Sequence, residues 1–219
     1  MSQIKISDKI KVVCPQATLG CLRASVKVKN SSDELLELLN ESSNDIKKIP
    51  LEDISSLPKI KDAREVYKKL GKAPSKYRVS SEALMRRIVQ GKGLYQVNNI
   101  VEINNIISLK SHFPVGSYNS EKIEFPIALT VGEEGQSYKG IGKEAINISN
   151  LPVLSDNIGT FGCPTSDSER CMITNDVKEI VMCIYSFTGE DKLHDYLNTA
   201  KELLETYADG KDVYIEIIK

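Results

Sequence analysis

The sequence predicts an α+β fold, a mixed β-sheet with packed helices, on three observations. Apolar residues recur at helical spacing through much of residues 33–111. After Pro114 that periodicity gives way to short β-rich runs separated by turn residues. The chain then closes on a near-continuous apolar run, an amphipathic helix and an alternating strand. Its 219 residues are enough for one domain, 1–219, with a core of its own, and the change of character near residue 115 allows two sublobes within it.

Ile10–Cys14 and Cys21–Val28 are expected as strands around a turn at Pro15–Gly20, with Ala24, Val26 and Val28 alternating. Asn30-Ser31-Ser32-Asp33 supplies capping side chains for a helix carried by Leu35, Leu36, Leu38 and Leu39, and Asn40–Asn44 is expected to break it. A second helix starts near Lys59, buries Ile60, Ala63, Val66, Tyr67 and Leu70, and is capped by Gly71. Ser80 or Ser81 opens a third, with Leu84, Met85, Ile88 and Val89 inward and Gly91 at its end. Val101–Ser111 reads as a fourth helix, its Ile and Val content leaving a strand as the alternative. Phe125–Val131 and Gln136–Ile141 form an expected hairpin around Gly132–Gly135, and Pro152–Ser155 and Ile158–Phe161 another around Asp156–Asn157. Glu179–Phe187 is a central strand covered on both faces. Asp191–Tyr207 is a helix ended by Asp209-Gly210, and Val213–Ile218 a closing strand.

Composition narrows the function classes. Twenty-nine basic against 30 acidic residues leave a net charge of −1, which is not the footprint of a non-specific nucleic-acid binder but is compatible with a local basic patch, and no DNA partner is expected. Five cysteines without a CxxC pair, and a polar start with no apolar signal region, suggest reduced thiols and a cytoplasmic location. No apolar run has the length of a membrane span. The two histidines and the cysteines show no zinc spacing, so neither metal nor cofactor is expected. Gly140-Ile141-Gly142-Lys143-Glu144 lacks the spacing of a phosphate loop and reads as a turn. Cys14 and Cys163 are candidate nucleophiles only if they escape the usual fate of a buried, inert thiol.

Two polar clusters stand out. Asn98–Asn105 places amides and a carboxylate within two helical turns, where caps and loop anchors are the alternative role. Thr165–Arg170, followed by Ile173-Thr174-Asn175-Asp176, lies between β segments, where an exposed loop is the alternative. Brought together, they would line one cleft. The basic stretch Lys59–Arg87 offers Lys68, Lys69, Lys76, Arg78, Arg86 and Arg87 to RNA, or forms a solvated helix face.

Ser81-Glu82-Ala83-Leu84-Met85-Arg86-Arg87-Ile88, then Val97-Asn98-Asn99-Ile100-Val101-Glu102-Ile103-Asn104-Asn105, resemble the tRNA-editing (B3/B4) domain of the phenylalanyl-tRNA synthetase β subunit, which has an "I-N-N-V-V-D-[IV]-T-N" segment there. The resemblance runs through Pro114–Asn119 to Ile173-Thr174-Asn175-Asp176, over roughly residues 60–187. Lys76–Leu84, Gly91-Lys92-Gly93-Leu94 and Glu169–Thr174 are more similar still to free-standing bacterial B3/B4-domain proteins. The resemblance implies a B3/B4-like fold and contact with tRNA or aminoacyl-tRNA. In the synthetases this domain hydrolyses tRNA mischarged with tyrosine, a second sieve after the first pocket. Its glutamate falls on Glu169, its Thr-Asn pair on Asn104 and Asn105, and its histidine on Gly116, with Ser117 and Arg170 alongside. These six are the implied substrate-binding candidates, and no catalytic residue is assigned. Hydrolysis that only positions water survives loss of the histidine; general-base catalysis through it does not. The expectation is an aminoacyl-tRNA-interacting, RNA-binding domain, with trans-editing hydrolysis of mischarged tRNA as its candidate activity, and not itself a ligase. The alternatives are a non-catalytic pocket for an amino-acid-like ligand and a plain RNA- or protein-binding module.

Overall fold

The computed structural model describes residues 3–219. In chain order the elements are β1 (Ile4–Ile6), α1 (Asp8–Val13), β2 (Thr18–Ser25), α2 (Asp33–Lys47), α3 (Pro58–Lys69), α4 (Ser80–Val89), α5 (Asn99–Ser111), β3 (Val115–Asn119), β4 (Ile127–Val131), β5 (Ser137–Lys139), β6 (Ala145–Asn147), β7 (Pro152–Ser155), β8 (Thr160–Gly162), β9 (Glu179–Ser186), α6 (Leu193–Tyr207) and β10 (Lys211–Ile218). The fold is α+β. One sheet has the order β1-β4-β7-β8, a second β10-β2-β9-β3, and β5 and β6 form a small ribbon. β1 joins β4 in parallel and the other pairs are antiparallel.

Strand β9 organises the layers. Its odd-numbered residues Val181, Cys183 and Tyr185 pack with Ile127, Leu129, Leu154 and Phe161 of the first sheet. Its even-numbered residues Ile180, Met182 and Ile184 pack with Ile103, Ile107, Leu197 and Leu204 of the helices. Two buried faces explain an uninterrupted apolar run in an antiparallel strand, since neither set of alternate side chains meets water. Each fully buried aliphatic side chain contributes roughly 1.5–3 kcal/mol. Strands from both sides of residue 115 pair in both sheets: β2 lies between β10 and β9, and β1 pairs with β4.

Several expectations are corrected. Ile10–Cys14 is not a strand: α1 covers Ile10–Val13 with Cys14 as its C-cap, Ile10 and Cys14, four apart, are buried, and Val12 is left 82% exposed. β2 starts earlier than expected and ends at Ser25. Asn40–Asn44 does not break α2, because Ser42 and Ser43 hydroxyls donate to the carbonyls of Leu38 and Leu39 and Ile46 still packs inward. The expected hairpin of Phe125–Val131 with Gln136–Ile141 does not form. β4 pairs instead with β7, Leu129 opposite Leu154, and β5 pairs with β6. Ile127 and Leu129 are buried, whereas Ser137 and Lys139 are exposed, so apolar matching overrides the nearest turn. The helix over Val101–Ser111 forms, starting at Asn99, and Asn98 caps it by accepting from the Val101 amide at 3.0 Å. The β7–β8 hairpin forms around Asp156–Asn157.

Candidate functional site: a basic cleft over a buried tyrosine–aspartate cluster

Gly116 and Tyr118 of β3 pair with Cys183 and Val181 and so face the first sheet, while Ser117, opposite Met182, faces the helices. A Cβ on Gly116 would lie 2.2 Å from the Tyr118 hydroxyl, and one on Gly162 2.5 Å from it. The Tyr118 side chain therefore fills a slot that two glycines leave open. Its ring packs edge-on against Phe161, with centroids 5.0 Å apart. Its hydroxyl donates to Asp167 Oδ1 at 2.8 Å and accepts from Tyr185 at 2.8 Å, and the Cys163 amide donates to the same Asp167 oxygen at 3.1 Å. Burial pushes the Asp167 carboxyl up to about 6, against the two hydrogen bonds that favour its charged form. Burial raises Tyr118 and Tyr185 well above the ordinary phenol value, so both stay protonated. It likewise pushes Cys163 to about 11 and raises Cys14, which makes neither a thiolate nucleophile.

The two sequence clusters lie on different sides of β3. Asn104 Nδ2 donates to the Val115 carbonyl at 2.9 Å and its Oδ1 accepts from Ser117 at 3.0 Å, latching α5 to the strand. Asn105, one residue on, is half-buried. Glu169 opens a short 3-10 turn and meets Lys139 at 3.0 Å. Among the described residues no contact joins Asn104 or Asn105 to Glu169. Arg170 donates from both terminal nitrogens to Asp156, and to the carbonyls of Lys122 and Gly159, all at 2.9–3.0 Å. Those bonds commit its guanidinium to holding the β7–β8 hairpin rather than to an open pocket. His112 caps α5 in the left-handed region, and His194 on α6 bonds Asn198.

The basic candidates fare differently. Glu82, fully buried on α4, accepts from Arg64 at 3.0 Å through each oxygen and from Arg86 Nε at 2.8 Å, and Arg78 Nε stands 3.8 Å away. Three guanidinium groups share one carboxylate, so positive charge remains. Beside them opens a cleft of about 470 Å³ lined by Lys76, Arg78, Arg86, Arg87, Lys92 and Lys143, with Thr165 among its other residues and no carboxylate among its lining residues. Four of the six expected RNA-binding residues thus share one surface. Lys68 instead pairs with Glu65 at 2.6 Å, and Lys69 reaches the Val13 carbonyl. Sequence reading missed Lys92 and Lys143. Lys143 sits in the expected turn, which joins β5 to β6, and its ammonium lies 3.4 Å from Ser166 Oγ. Thr165 bonds Tyr67 at 2.8 Å, so the loop that borders the cleft also carries Asp167 on its inner side.

Comparison with known proteins identifies the family. Residues 62–209 match the model of the B3/4 domain. No curated protein matches the chain. Among solved structures, an N-terminal fragment of the phenylalanyl-tRNA synthetase β subunit from Pyrococcus horikoshii is similar with 14% identity and a TM-score of 0.48, covering 98% of this chain and 50% of that one. The chain thus spans half the length of that fragment. With more than half of its residues matched to one family model, the chain belongs to the B3/4 domain family.

Proposed function

We propose that this chain, a domain related to those of tRNA synthetases, binds aminoacyl-tRNA through the basic cleft. The observation that carries the reading is the convergence of six cations on one cleft lined by no carboxylate, in a chain whose overall charge is −1. Charge so concentrated suits a phosphate backbone. The interior geometry argues against a general base at position 116, because Tyr118 fills the space beside Gly116. Ester cleavage here would rest on a positioned water, and Glu169, which pairs with Lys139 outside the cleft lining, is the residue that the family resemblance offers to the substrate.

The test is tRNA binding across a salt series, together with deacylation of a panel of mischarged tRNAs. Wild-type protein should bind with affinity that falls steeply as salt rises, and the Lys76→Ala, Lys143→Ala double variant should bind several-fold more weakly. Binding indifferent to salt and to both lysines would overturn the reading. Selective ester cleavage lost in Glu169→Ala would add the editing activity to it.

A further inference from the structure

We infer that the cleft takes an unpaired RNA strand and that Tyr95 is its base-stacking platform. This deepens the proposed function and rests on it. After α4 the chain turns back through Gly91 and Gly93, both at positive φ, where a side chain would be strained. The turn places Lys92 in the cleft lining and Tyr95 against Arg87. The Arg87 guanidinium lies 4.1 Å from the Tyr95 ring centroid and is fixed there, Nε donating to the Gly93 carbonyl at 2.6 Å and Nη2 to that of Lys92 at 3.4 Å. Tyr95 is nevertheless 71% exposed. One ring face therefore rests on a cation of the cleft and the other opens to solvent.

An exposed aromatic ring on Arg87, at the edge of a cleft lined by six cations, matches what single strands require: charge along the backbone and a flat surface for a base. Within a duplex the bases are already stacked on one another, so apart from the terminal pairs none has a free face for the ring. An acidic peptide would satisfy the cations but gains nothing specific from an open aromatic face. The Arg87 contact also holds the ring in one orientation, which lowers the ordering cost of stacking.

Fluorescence anisotropy with a short unstructured RNA oligonucleotide, the same strand in a blunt duplex, and a poly-glutamate peptide tests the assignment. The single strand should bind several-fold more tightly than the duplex. Tyr95→Ala should weaken the single strand about five-fold or more, leave the salt slope and the duplex affinity unchanged, and be rescued by Tyr95→Phe. Wild-type affinity in Tyr95→Ala, or an equal loss for single strand and duplex, would overturn the platform while leaving the tRNA reading intact. Peptide competition as strong as that of RNA would assign the cleft to an acidic protein. Failure of every RNA to bind would remove both proposals together.

Discussion

Tyr118 fits beside β8 because neither Gly116 nor Gly162 carries a Cβ, and the space it fills is the one a side chain at position 116 would enter. Restoring a side chain there forces the phenol out of its bonds to Asp167 and Tyr185. Gly116→Ala should cost roughly 1–3 kcal/mol by overpacking, seen as a lower denaturant midpoint. Gly116→His should cost at least as much and confer no ester cleavage. A neutral Gly116→Ala would show that Tyr118 moves freely and that the slot is open. Asp167, within the same cluster, makes a pH-dependent contribution. Its folded value, about 6, lies above the ordinary 3.8 because burial disfavours the charge. Its contribution to stability is therefore complete below the unfolded value and is lost as pH rises through the folded one. An asparagine side chain in its place would keep an oxygen to accept from Tyr118 and Cys163 without ever charging. Relative to wild type, Asp167→Asn should gain stability between about pH 4 and pH 7, by up to ~3 kcal/mol and by less where water reaches the half-buried carboxylate. An unchanging difference across that range would mean that Asp167 is equally solvated in the folded and unfolded chains.

α4 shows both what a sequence discloses about an element and what it conceals. Glu82 and Arg86 stand four residues apart on α4, so their shared face is legible from spacing, whereas Arg78 lies before the helix begins. That Glu82 is fully buried is not legible in this way, because the partner that covers it from outside its own helix, Arg64 on α3, is distant in sequence. The same limit explains β4. Gly132–Gly135 is a strong local turn signal, but the preference of Leu129 for Leu154 acts between residues far apart in sequence and decides the pairing. Asn104 and Glu169 each lie in a polar cluster, which suggests one shared cleft, and only the alternation of β3 assigns them to opposite faces. Strand β9 is legible because its two buried faces leave their mark within one segment. For α4 the consequence is measurable. Glu82→Ala leaves Arg64 and Arg86 beside a space with no counter-charge, a loss of about 3 kcal/mol, at the low end for a broken buried pair because both arginine side chains remain 22% exposed. Glu82→Gln, which keeps the shape and one acceptor, should fall between, as read from urea midpoints. Equal stability of all three proteins would show that the arginines hold the helix without their carboxylate.

Over the whole molecule, charge is close to balanced, so long-range attraction of RNA to the protein as a whole is weak and the cleft acts over its own neighbourhood. At physiological salt a charge is felt over about 8 Å, which confines the cations that matter to the cleft lining and its rim. Single-strand binding releases about 0.7 counterion per phosphate neutralised, so six cations set an upper limit of about 4 on the slope of log affinity against log salt. Lys143→Ala should lower that slope by about 0.7 and weaken all RNA sequences alike, because a lysine on a phosphate reads no base. Lys201→Ala, which removes a lysine that already faces Glu205 on α6, should leave the slope where it was. A slope well above 4, or one that falls equally in the two variants, would mean that RNA spreads across surface beyond the cleft. In that case the layered core would position a larger cationic face than the six side chains around α4.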